Sequence, residues 1–134
     1  IMINKFSITP YRAFFHPGYP VYAPYSVQLI FLLEDKQTPY YESSIFEVLP
    51  VGSQQTFQFP DYVLFCGGFI KLVLLGKREM QLVGESDYYV CLSHVELTGV
   101  VLPSFHSIYH PPNEQQQQVN SIKKNDPYFE IVYE

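Results

Sequence analysis

Apolar residues along the chain occur in short runs, several of which alternate with polar residues, and this pattern predicts β-strands. Eleven prolines and seven glycines separate the runs, as turn residues do in all-β folds. We find no good apolar stripe of the helical period with capping residues at its ends. Strands are predicted at residues 2–8, 26–33, 41–49, 56–59, 69–75, 87–97 and 128–133. Many short strands joined by turns favour an all-β fold, an antiparallel β-sandwich or jelly roll.

The stretch FCGGFIKLVLLGKREMQ, residues 65–81, combines two adjacent glycines with a dense apolar run and a basic pair. A phosphate-binding loop would need Gly-Lys followed by Ser or Thr and then a helix. Here an arginine follows Gly76-Lys77, and the run after the first glycines resembles a strand. We therefore predict that Gly67 and Gly68 relieve crowding or form a bulge at the start of a core strand. One face of this strand carries Ile70, Leu72 and Leu74.

The whole chain, residues 1–134, fits one β-sandwich domain that contains one polar segment. That segment includes NEQQQQVNSIKKN, is of low complexity, and predicts a mobile or disordered loop over about residues 111–127. The chain opens directly on a strand-like pattern, as expected for a fragment of a longer protein.

Composition narrows the class of protein. Of the 134 residues 47% are apolar and 17% aromatic, which is enough material for a buried core. The net charge of −5 argues against a general nucleic-acid binder, which needs a basic face for phosphates. No apolar run reaches the roughly 18 residues of a membrane span, and the first residues lack the features of a signal peptide.

The two cysteines, Cys66 and Cys91, are too few for a disulfide-rich secreted domain. One bridge between them stays open as an alternative, but buried free thiols in a reducing compartment are favoured. We therefore expect an intracellular protein, cytoplasmic or nuclear.

Candidate catalytic and metal-binding sets fail on geometry. Cys91 and His94 lie three residues apart within one predicted strand, so their side chains point to opposite faces and cannot share one ion unless a bulge re-aims one of them. His106 and His110 lie in a proline-bounded loop and would need a helix to align them. Ser93 has no Gly-x-Ser-x-Gly turn around it, so a serine triad is not supported. The acidic residues lack the dense spacing of a calcium loop. We predict no metal, no cofactor and no enzymatic activity.

Residues 11–25, here called the aromatic loop, are the best binding candidate. Tyrosine and arginine on a proline-braced loop are typical of interaction hot spots. The alternative is that half of these side chains only cover the end of the sandwich. The candidate binding residues are Tyr11, Arg12, Phe14, Phe15, His16, Tyr19, Tyr22 and Tyr25.

Three blocks resemble one family: ITPYRAFFHPGYPVYAPYSVQLIF, FPDYVLFCGGFIKLVLLGKREMQ and YYVCLSHVELTGVVL. They are similar to the C-terminal galactose-binding-like (discoidin-type) domain of plant-type F-box proteins, over roughly residues 8–102. The last two blocks are the more specific. The matching residues are Phe15, Pro17, Gly18, Pro20, Tyr22, Cys66, Gly67, Gly68, Leu74, Leu75, Gly76, Tyr88, Tyr89, Cys91, Ser93, His94, Val95 and Gly99.

The resemblance implies a jelly roll that recruits a substrate or partner to a Skp1–cullin–F-box ubiquitin ligase. Any contact with Skp1 and the cullin would lie outside this chain, because no F-box helices are present. The family's first strands, with a tryptophan, are also absent before Ile3. We therefore expect an upstream segment or a partner to complete the sandwich, since exposed strand edges are a liability. A monomeric, cooperatively melting fragment of residues 1–134 would contradict that expectation.

Two other functions stay open. The domain could be a structural β-sandwich subunit that docks within a large multiprotein assembly. It could also be a carbohydrate-binding module, because aromatic rings stack on sugars, although the cysteine pattern and the missing secretion signal speak against this.

Overall fold

The computed structural model describes residues 1–77, 89–102, 119–123 and 129–133. These residues contain strands and turns but no helix, which confirms the predicted all-β class. The strands are β1 Met2–Pro10, β2 Pro24–Leu32, β3 Pro39–Glu42, β4 Phe46–Glu47, β5 Gln55–Leu64, β6 Phe69–Lys77, β7 Leu92–Val100, β8 Val119–Lys123 and β9 Phe129–Tyr133.

The strands form two sheets. The first has four antiparallel strands in the order β5-β1-β7-β8. The second has the order β3-β2-β6-β9, with the short β4 also paired to β2. Its β6–β9 pair is parallel, so this sheet is mixed, whereas we had expected antiparallel pairing throughout.

The two sheets pack face to face around one aromatic and aliphatic core, which makes the fold a β-sandwich. Rings from opposite sheets meet directly: Phe6 of β1 lies 5.7 Å from Phe46 of β4, and Phe59 of β5 lies 5.4 Å from Tyr41 of β3. Alternate residues of the long strands supply the aliphatic part, as the period of a half-buried strand requires. Fully buried members are Ile3, Ile8, Val27, Leu29, Ile70, Leu72, Leu74, Val95 and Leu97.

Of the two glycines before β6, Gly68 relieves crowding, as predicted, whereas a Cβ on Gly67 would meet nothing within 4 Å. Gly68 has φ +96°, and a Cβ added there would lie 2.2 Å from the Leu32 carbonyl oxygen. The chain therefore passes closer to the end of β2 than any other residue would allow. The element that follows is strand β6 and not the helix that a phosphate-binding loop leads into.

Two strand predictions need correction. The strand predicted at 56–59 continues through Pro60 to Leu64, because Pro60 falls where the pairing with β1 shifts register and needs no backbone donor. The strand predicted at 41–49 is split into β3 and β4. Between them, buried Ser43 accepts the Leu29 N–H through its hydroxyl (2.9 Å).

The structure also differs in part from two other predictions, the polar loop at about 111–127 and the strand at 87–97. Val119–Lys123 forms β8, because its backbone pairs with the open side of β7. Residues 103–118 and 124–128 lie outside the described residues. Strand β7 begins only at Leu92, so Cys91 precedes it, and residues 87–88 are not described.

The cysteines are not bonded to each other. Cys91 is half-buried, but Cys66 is exposed, so the prediction that both are buried was wrong for Cys66. Cys66 lies in the turn between the end of β5 at Leu64 and the start of β6 at Phe69, outside both strands. None of the described segments is a helix able to cross a membrane.

Candidate functional site

The aromatic loop is a tightly braced hairpin rather than a slack connection. Backbone bonds from Ala13 N to the Pro20 carbonyl oxygen (2.9 Å) and from Tyr22 N to the Tyr11 carbonyl oxygen (2.8 Å) hold its two arms together. The backbone of Cys91 bonds to both arms. Tyr11 N donates to the Cys91 carbonyl oxygen, and Cys91 N donates to the Tyr22 carbonyl oxygen, each at 2.9 Å. The loop is therefore anchored on the segment that leads into β7.

The tip of the loop is a compact turn. His16 N bonds to the Ala13 carbonyl oxygen and Tyr19 N to that of His16. Gly18 and Tyr19 both have positive φ, +82° and +50°, which a tyrosine rarely adopts. The Arg12 guanidinium donates to the Tyr19 carbonyl oxygen (3.2 Å) and so fixes that residue in place. The tip is thus held in a defined shape by its own backbone and by Arg12.

Three large rings at the tip face solvent. Phe14, Phe15 and Tyr19 are 70%, 69% and 56% exposed. Phe14 packs on Tyr19 with ring centroids 5.9 Å apart, and Phe15 packs on His16 at 4.3 Å. Leaving such rings in water forgoes much of the stabilisation that burial would provide. An exposed cluster of this kind is a candidate interaction surface.

The other predicted residues of the loop support this cluster. Tyr22 is buried, 5% exposed, and its ring contacts those of Tyr11 and His16, each at 6.2 Å. Its ring therefore lies beneath the tip and is covered by its neighbours. Tyr25 lies apart on β2, with its ring against the backbone of Gly76, where an added Cβ would meet it at 2.8 Å.

Sequence reasoning missed two neighbours of the loop. Tyr89 packs on Tyr22 at 5.4 Å, and it could have been found only from the paired tyrosines at 88–89. Exposed Leu49 belongs to a second ordered turn, because the Gln55 side chain both donates to and accepts from its backbone at 2.8 Å. This turn reaches the aromatic loop at Gly52, whose added Cβ would lie 3.2 Å from Arg12 Nε.

A separate cleft lies between the edges of the two sheets, where β3 faces β5. It has a volume of about 340 Å³ and is lined by Tyr40 and Tyr41 of β3 and by residues 60–64 of β5. Burial, and then the negative charge of Asp61, raise the pKa of Tyr41. The Asp61 carboxylate thus lies close enough to the Tyr41 phenol to act on its pKa, and the phenol stays neutral at physiological pH.

Among the described residues that were considered for chemistry, Ser93 does not join the pair formed by His94 and Glu96. His94 Nε2 lies 3.6 Å from Glu96 on the exposed face of β7, and Ser93 Oγ donates instead to the Thr9 carbonyl oxygen. Among the described residues no three metal-ligating side chains form a group that could hold an ion. His106, His110 and Asp87 lie outside those residues.

Comparison with known proteins gives one relative of note. An F-box protein of Arabidopsis thaliana is 26% identical to this chain over 149 aligned positions, which cover 94% of the chain. The chain spans only 39% of the length of that relative. No protein-family model matches the chain, and no solved structure matches it.

Proposed function

We propose that this chain is a non-catalytic protein-interaction domain, and that it recognises the substrate or partner of an F-box adaptor in a Skp1–cullin–F-box ubiquitin ligase. The observation that carries the proposal is the braced aromatic loop, whose exposed rings are held in one arrangement by backbone bonds. A prearranged aromatic surface loses little conformational entropy when it binds. The similarity to an F-box protein over nearly the whole chain supports the adaptor role.

Within this proposal the domain adopts the galactose-binding-like sandwich suggested by the sequence blocks, and residues 1–134 act as one unit. Phe14, Phe15 and Tyr19 contact the partner, while Tyr11, His16 and Tyr22 support them. Arg12 sets the shape of the tip. Binding to Skp1 and the cullin takes place through regions outside this chain.

The test is affinity purification of the full-length protein followed by mass spectrometry. The wild type is compared with a triple variant, Phe14→Ala, Phe15→Ala and Tyr19→Ala. All three rings are mostly exposed, so the variant should fold. We expect both proteins to retain Skp1 and the cullin, and the variant to lose the other specific partners at least tenfold, as happens when hot-spot rings are truncated.

A matched control replaces three exposed apolar side chains elsewhere with alanine. These are Ile45, Val101 and Leu102, which are 61%, 39% and 49% exposed. The control should keep all partners. Absence of Skp1 from the wild-type sample would reject the ubiquitin-ligase role, whereas partners that survive the triple variant would reject the aromatic loop as the recognition surface.

A further inference from the structure

The cleft between β3 and β5 lies at the opposite end of the sandwich from the aromatic loop. Its β5 wall pairs with the start of β1, at Met2 and Ile3, whereas the aromatic loop follows the end of β1 at Pro10. At about 3.3 Å per residue, these positions are some 25 Å apart. The cleft is thus a separate site and does not depend on the proposed function.

The walls of the cleft combine aromatic rings with a single charge. Tyr40 and Tyr62 are 40% and 51% exposed, so their rings are accessible to a ligand. Tyr41 is held from the inner side by Phe31 and Phe59, at 5.5 and 5.4 Å. The wall opposite β3 carries the Asp61 carboxylate.

Charge determines which ligand fits. Among the described residues that line the cleft none is cationic, so Asp61 has no positive partner within the lining. Tyrosine faces attract cations, and a carboxylate beside them adds a charge-assisted hydrogen bond. A guanidinium satisfies both, since it stacks flat on aromatic rings and bonds a carboxylate through two parallel N–H groups.

We propose that this cleft binds an arginine side chain of a partner protein. The guanidinium lies among Tyr40, Tyr41 and Tyr62 and donates to Asp61. The volume of about 340 Å³ is large enough for one extended side chain. The partner therefore presents an arginine on an exposed segment that can reach the cleft between β3 and β5.

The test measures binding of short capped peptides to the full-length protein by saturation-transfer difference NMR. Three peptides differ only in the central residue: arginine, lysine, or citrulline, which has the shape of arginine without its charge. We expect the arginine peptide to bind best, with citrulline about tenfold weaker and lysine in between. Equal affinity for arginine and citrulline would overturn the proposal, and equal affinity for lysine would overturn the choice of arginine.

Two pairs of variants locate the binding site. Asp61→Asn should weaken the arginine peptide about tenfold, whereas Glu42→Gln, which removes an exposed carboxylate at the next position along β3, should not. Tyr62→Phe keeps the ring and should keep binding, whereas Tyr62→Ala should lose it. An unchanged affinity in Asp61→Asn, a variant of nearly identical shape, would contradict the proposed site.

Discussion

Single glycines decide how closely neighbouring strands approach each other in this sandwich. Gly68 lies against the backbone at the end of β2, and Gly99 of β7 faces the Met2 carbonyl oxygen, which an added Cβ would approach to 2.2 Å. The second contact falls where β1 shifts register between Ile3 and Lys5. In both places a side chain would have to displace backbone, which a packed sheet resists.

We predict that Gly68→Ala lowers the free energy of unfolding by about 3 kcal/mol, because it combines a left-handed φ with a backbone clash. Gly67→Ala is the matched control. Gly67 also has positive φ (+118°), but its Cβ would meet nothing within 4 Å, so only the backbone strain of about 1–2 kcal/mol is expected. Urea unfolding of both variants checks this, and equal losses would show that the close approach to Leu32 does not matter.

Two tyrosines of the aromatic loop differ in their burial. In the sequence Tyr19 and Tyr22 look alike, yet Tyr19 is 56% exposed and Tyr22 is 5% exposed. What separates them is Cys91, whose backbone bond to Tyr22 holds that part of the loop down against the sandwich. The pattern predicts a binding loop, but it cannot say which ring is a contact and which is a support.

Among the strands, the break between β3 and β4 shows how one side chain replaces a backbone partner. Ser43 N bonds to the Leu29 carbonyl oxygen, while Leu29 N bonds to the Ser43 hydroxyl, both at 2.9 Å. The hydroxyl in turn donates to the Ser44 carbonyl oxygen (2.7 Å). An alternating sequence pattern cannot show that a side-chain hydroxyl takes the place of a backbone acceptor, so residues 41–49 were predicted as one strand.

Ser43→Ala should therefore lower the free energy of unfolding by about 1–3 kcal/mol, because the N–H of buried Leu29 loses its acceptor. Ser44→Ala, at an exposed position next in the chain, should change it by no more than about 0.5 kcal/mol. Chemical denaturation of the two variants is the measurement. Similar stabilities for both would mean that the backbone rearranges to satisfy Leu29.

The long strands were the easiest elements to predict, and the edges the hardest. β1, β2 and β6 carry dense apolar segments, because each strand buries at least one face against the other sheet. β5 was predicted only as far as Phe59, since proline normally ends a strand. Pro60 is tolerated because it lies at a register shift, a property of the pairing with β1 and not of the local sequence.

Considered as one object, the sandwich presents two candidate binding surfaces at its two ends. The aromatic loop follows the end of β1, and the tyrosine-lined cleft lies beside the start of β1. Sites this far apart without shared partners are expected to act independently.

We predict that the triple alanine variant of the aromatic loop leaves the affinity for the arginine peptide unchanged within about twofold. In the same way, Asp61→Asn should leave the capture of aromatic-loop partners unchanged. Combining the affinity purification with the peptide titration on both variants tests this. Loss of both activities in either variant would show that the ends are coupled or that the variant is misfolded, and circular dichroism separates these two outcomes.

The sequence alone was sufficient for the all-β class and the core face of β6, because these depend on local periodicity and composition. That the aromatic loop binds a partner stays a prediction. The tertiary structure decided which rings are exposed, how Arg12 is used and where Tyr25 lies, since these depend on contacts distant in the chain. It also created the cleft, whose walls at 40–41 and 60–64 come from different sheets. The sequence pattern of a single strand cannot predict this cleft, because only the packing of the two sheets brings Asp61 beside Tyr40 and Tyr41.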